Sequence, residues 1–85
     1  MLTVFERLMA KALTREAFPG PLTERVLKSI TFHEGSPSAY WMLTDEHRRV
    51  WINPVWWKTL PSKKRIAMAA HEMGHICYAA MQGGV

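Results

Sequence analysis

The spacing of apolar residues changes rhythm along this chain, and each rhythm predicts an element. Leu2, Phe5, Leu8/Met9 and Ala12/Leu13 recur at three- to four-residue intervals, which predicts a helix from Met1 to about Ala17 carrying one apolar stripe. Thr3 with Glu6 fits a capping box at its start. Pro19-Gly20-Pro21 ends it, because proline cannot continue a helix and glycine tolerates the turn. Leu22, Val26, Leu27 and Ile30 suit a short second helix. From near Ser29 the period falls to two: Ile30, Phe32 and Glu34 alternate with Thr31 and His33, as in a strand. Gly35-Ser36-Pro37 signals a turn. Ala39–Thr44 reads as a strand with Tyr40 and Met42 on one face and Trp41 and Leu43 on the other. After the polar connection Thr44-Asp45-Glu46-His47, Arg48–Asn53 reads as the returning strand of a hairpin. A lone hairpin is marginal, so it needs a helix or a third strand, Ile30–Glu34, beside it. Asn53-Pro54 stops the sheet, and Val55–Lys58 suits a helical turn. Thr59 or Ser62 can cap a final helix from about Ser62 to Met81, with Pro61 in its first turn and Gly83-Gly84 as its stop.

This order predicts an α+β fold: N-terminal helices, a small antiparallel sheet of two or three strands, and a long C-terminal helix. At 85 residues the chain makes one domain, 1–85, near the lower limit for a core that folds without staples. Four Trp, two Tyr and three Phe supply burial that so small a domain needs. An exposed aromatic patch for a partner is the functional alternative for the four Trp.

Other compositional features narrow the function. No apolar run approaches the eighteen or so residues of a membrane span, and Glu6, Arg7 and Lys11 interrupt the N-terminus where a signal peptide would be apolar. No membrane partner is expected. Cys77 is the only cysteine, so there is no internal disulfide, and a reducing, cytoplasmic setting is the simpler expectation. The formal charge of +4 is compatible with an acidic partner. No basic stripe interleaved with aromatics accompanies it, which argues against nucleic acid. Ser62-Lys63-Lys64-Arg65 places three cations in the first turn of the last helix, where the helix dipole disfavours them.

The chemistry lies in His71-Glu72-Met73-Gly74-His75, an H-E-x-x-H motif. On a helix, His71 and His75 stand one above the other and can both reach one tetrahedral Zn²⁺. Glu72 lies beside the metal, does not ligate it, and is placed to take a proton from a zinc-activated water. At about 100° per residue, Tyr78, Gln82 and Lys64 share the histidine face. Ile66, Ala69, Ala70, Met73, Ile76, Cys77 and Ala80 gather on the opposite arc, which predicts a helix with a buried apolar back and an open polar side. Tyr78 has two readings: a donor to an oxyanion, or a surface side chain packing on its neighbours.

Here the chain resembles a zincin metallopeptidase. Trp51-Ile52-Asn53-Pro54, a short connection, and Arg65-Ile66-Ala67-Met68-Ala69-Ala70 running into His71-Glu72-Met73-Gly74-His75 are similar to ImmA/IrrE-type and SprT-like domains, and in size to minimal gluzincins. The resemblance spans Val50 to Ala79. It implies a minimal zincin-like fold, a Zn²⁺ cofactor ligated by His71 and His75, Glu72 as catalytic base, hydrolysis of peptide bonds, and an extended peptide held on the edge strand of the hairpin.

The chain departs from those families at the third ligand, which they carry downstream. No His, Asp or Glu follows His75, and Tyr78 and Met81 stand where the longer metzincin motif has Gly and His. Three remedies are open. His33, Glu34, Asp45, Glu46 or His47 completes the site, a second copy supplies the ligand in a homodimer, or the domain is truncated at its C-terminus. Surface-turn roles are the plainer reading of His33 and His47. Catalysis is thus conditional on a third ligand. The alternative is a catalytically incomplete zincin-like binding protein, for example a phage or mobile-element inhibitor, that acts by docking on a protein partner.

Overall fold

A computed structural model describes residues 2–35, 42–44 and 47–83. The elements follow in the order α1 (Val4–Ala17), α2 (Pro21–Ser29), β1 (Thr31–Glu34), β2 (Met42–Thr44), β3 (Arg49–Ile52), α3 (Pro54–Trp57) and α4 (Ser62–Met81). Helices make up most of the described chain, and α4 is the longest at 20 residues.

Local chemistry sets the boundaries. Thr3 and Glu6 form the reciprocal capping box: each accepts the other's backbone N–H at 3.0 Å. Gly20, at φ 126°, makes the turn that a side chain would strain, and Pro21 then opens α2 with its φ already helical. Asn53 caps α3 by accepting the N–H of Val55 at 3.1 Å. The start of α4 differs from expectation. Pro61 is the N-cap and offers no side-chain bond. The Thr59 hydroxyl donates to the Trp56 carbonyl instead, and that of Ser62 donates to Glu6.

The sheet corrects the expectation of a small antiparallel sheet built on a hairpin. It is mixed, ordered β1-β3-β2. β1 lies parallel to β3, with Phe32 opposite Val50 and His33 opposite Trp51, while β2 pairs antiparallel on the other side. The reason is burial. Val50 and Ile52 of β3 are completely buried, and the strand with the strongest inward face takes the centre, where both edges are paired. Of the expected strand Ala39–Thr44, residues 39–41 lie outside the described residues, as does the turn at 36 and 37.

The core joins α2, the inner sheet face and α4: Val26, Leu27, Ile30, Val50, Ile52, Trp57, Ala69, Met73, Ile76 and Cys77, with Leu2 and Ala10 from the N-terminal segment. The buried back expected for α4 is therefore present. Trp57 belongs to this core and Trp56 packs against it. Trp51 lies half-buried on the outer sheet face, stacked with His33 and overlain by Arg49. Trp41 lies outside the described residues.

α1 is turned the other way from its apolar stripe. It buries Glu6, Ala10 and Thr14 and leaves Val4, Phe5, Leu8, Met9 and Leu13 exposed. Small size explains the buried side. Ala10 and Thr14 let α1 approach α4, and the Thr14 hydroxyl is satisfied by the Ala10 carbonyl at 2.9 Å. The two helices run in the same direction, since Glu6 meets Ser62 and Arg65 near one end while Phe18 meets Gly74 further along.

Glu6 fastens the two helix starts together. It is 2% exposed. Besides its capping bonds, it accepts the Ser62 hydroxyl at 2.7 Å and lies 3.7 Å from the Arg65 guanidinium. Burial alone would raise its carboxyl pKa. The Thr3 backbone N–H, the Ser62 hydroxyl and the Arg65 charge outweigh that and hold it below the ordinary value of 4.5. A lowered folded-state pKa means that the stabilisation is full above 4.5 and is lost as pH falls through the folded value. Glu6→Gln should cost about 1–3 kcal/mol at neutral pH. Denaturant melts of both proteins should converge as pH drops below 4.5. A constant gap across that range would remove the Glu6 carboxylate from the account.

Candidate metal-binding groove

The face of α4 opposite the core closes a groove against α1. Leu13, Thr14, Ala17 and Phe18 form one wall, and Ala67, Ala70, His71, Gly74, His75 and Tyr78 form the other, around a cavity of about 630 Å³. The lining is apolar, apart from the histidine pair, the Thr14 hydroxyl (held by Ala10) and the Tyr78 phenol. Imidazoles set in such a wall present the strongest polar groups that a bound species meets.

His71 and His75 are both exposed. Their Nε2 atoms lie 3.0 Å apart, with ring planes at 87°. At that distance one Nε2–H donates to the other's lone pair. Two Nε2 ligands of one tetrahedral Zn²⁺, each at about 2.05 Å, would stand about 3.3 Å apart. The pair is therefore within a few tenths of an ångström of ligand spacing. The change required is one of protonation, with both rings carrying their proton on Nδ1. The residues present fit two ligands of a metal ion.

Glu72 follows His71 on the helix and is half-buried. Burial pushes its carboxyl pKa up, opposed by the nearby charges of His75 and His71. A carboxylate with a raised pKa is a stronger base than an exposed one. Glu72 is not among the residues lining the cavity. By helix geometry it projects to the flank, about 100° from His71.

The upstream ligand candidates that lie among the described residues are placed elsewhere. Among the described residues, no third His, Cys, Asp or Glu gathers with His71 and His75. His33 bonds the Thr31 hydroxyl at 2.8 Å and stacks on Trp51 across the sheet. Glu34 ends β1, and His47 is exposed before β3. Asp45 and Glu46 lie outside the described residues. Cys77 is buried in the core, which raises its thiol pKa further from a thiolate ligand. The α1 wall was not foreseen. Leu13 and Ala17 signalled only a helix, and nothing in their spacing says that the helix lies beside the histidines.

Comparisons of the chain with protein families, curated proteins and solved structures found no match.

Gly74 lies mid-helix between His71 and His75. A Cβ there would meet Phe18 Cε2 at 3.5 Å, an ordinary contact. Its backbone is helical, so no glycine-specific geometry is in use. Gly74→Ala should therefore stabilise the fold by about 0.5–1 kcal/mol through helix propensity. Urea unfolding measures this, and a loss of stability would mean that α1 cannot accommodate even a methyl group at this crossing.

Proposed function

We propose that the chain is a zinc-dependent metallopeptidase-like protein. The observation that carries this reading is the 3.0 Å approach of His71 and His75 Nε2 in the wall of an apolar groove. His71 and His75 hold the ion, and no third ligand joins them among the described residues, so catalysis is conditional on one being supplied. When bound, zinc supplies Lewis-acid polarisation of a carbonyl and lowers the pKa of water. The protein's own part is to hold and to move protons. The buried back of α4 fixes the two imidazoles, and Glu72 accepts a proton from the attacking water and returns it to the leaving amine. The groove walls present apolar surface to a peptide. A cytoplasmic setting fits the single buried cysteine, and no helix among the described residues is long and apolar enough to cross a membrane.

A second reading is favoured by a separate observation, the row of exposed apolar side chains on α1. In that reading the chain is a binding protein that docks on another protein and performs no hydrolysis.

Zinc titration by calorimetry tests the first reading. Wild type should bind at least about tenfold more tightly than His71→Ala or His75→Ala, since each removes one of few ligands. Equal affinity would sink the metal site. With zinc bound, Glu72→Gln should retain the metal and lose about 10²–10⁴-fold in peptide hydrolysis. Undiminished hydrolysis in that variant would remove Glu72 from the mechanism.

A further inference from the structure

We infer that His71 and His75 are one half of a four-histidine zinc site, completed by the same pair from a second copy of the chain across the exposed face of α4. This rests on the metal reading of the pair and not on hydrolysis. The pair is a ligand set cut in half. Its Nε2 atoms stand 3.0 Å apart, against about 3.3 Å for two ligands of one tetrahedral Zn²⁺. Both side chains are exposed. Among the described residues no third His, Cys, Asp or Glu gathers with them. Zinc held by protein alone is four-coordinate, so two ligands on an open face call for two more from outside. A two-fold axis through the ion presents the same pair from a second copy at the same spacing. Such a self-complementary contact is the commonest way in which identical chains associate.

The face suits that occupant. None of the residues lining the groove beside the pair is charged. Two copies therefore meet here without apposing like charges, despite the formal charge of +4 on each. Lys64, the cation of this helix face, lies about two turns before His71. Ala67 and Gly74 flank the pair on the same side of α4, and residues so small let a second helix come close. Tyr78 follows His75 by about one turn and is 58% exposed, a large amphipathic side chain of the kind enriched at interfaces. The bridge has a regulatory consequence for the same site. A zinc held by four histidines has no open position for water. The bridged dimer is then the silent form, and hydrolysis requires one histidine pair to withdraw.

The test uses the full chain with zinc chloride and with EDTA, read by sedimentation velocity and calorimetry. Zinc should convert monomer to dimer with about one ion bound per two chains, four ligands to each ion, and EDTA should restore the monomer. Zinc should tighten self-association about tenfold or more, and by linkage the zinc affinity should rise with chain concentration. His71→Ala and His75→Ala should each abolish the zinc-dependent dimer. Both positions are exposed, so circular dichroism and Tm should hold, and the stoichiometry is read on wild type without any substitution. One ion per chain in a monomer would overturn the bridge while leaving the two-histidine metal site standing. Absence of zinc binding would sink both. A dimer that persists in EDTA, or a zinc-dependent dimer that survives both alanine substitutions, would place the association elsewhere on the chain and overturn the proposal.

Discussion

The buried carboxylate of Glu6 is the constraint on which the arrangement of the helices depends. It is taken out of water, so every lone pair needs a donor. The donors come from two places far apart in sequence: Thr3, which starts α1, and Ser62 with Arg65, which start α4. The carboxylate that caps α1 therefore also fixes where α4 begins and sets the two helices side by side in the same direction. It also explains why α4 has no side-chain cap of its own. Ser62 carries a capping hydroxyl, but that hydroxyl serves Glu6.

The groove follows from this pairing. With the helix starts fastened, Ala10 and Thr14 face α4, and further along Ala17 and Phe18 lie across from Ala70 and Gly74. Small residues along this line bring the backbones close and leave a concavity on the outer side. The histidines stand in the concavity because their face is opposite the core arc of Ala69, Met73, Ile76 and Cys77. The same rotation of α1 that forms the groove turns Phe5, Leu8, Met9 and Leu13 to solvent. The candidate metal site and the exposed stripe are thus two results of one helix orientation.

Much of the fold was legible because the signals were local. The capping box at Thr3 and Glu6, the Pro19-Gly20-Pro21 break and the extent of α4 all follow from short-range backbone chemistry. The alternation in Arg48–Asn53 marked a strand. What failed was pairing. Alternation gives a strand its faces but not its neighbours, so the parallel partnership of β1 with β3 did not appear in the pattern. Amphipathicity failed at α1 for a related reason. It states which face is apolar, and burial depends on what shape the opposing surface accepts. Beside α4, small residues fitted and large ones did not.

The sequence by itself determined the histidine pair and its helix. The i, i+4 spacing places two imidazoles within ligand reach of each other on any α-helix, and the apolar residues of α4 determine which side of that helix is buried. Only the tertiary structure decided what surrounds the pair: the α1 wall, the apolar lining, and the removal of His33 to a stack with Trp51 on the outer sheet face. The physical reason is range. Spacing along a helix is fixed by backbone hydrogen bonds a few residues long. The identity of the opposite wall is fixed by the hydrogen bond that Ser62 donates to the buried Glu6 carboxylate across 56 residues, which no local pattern encodes.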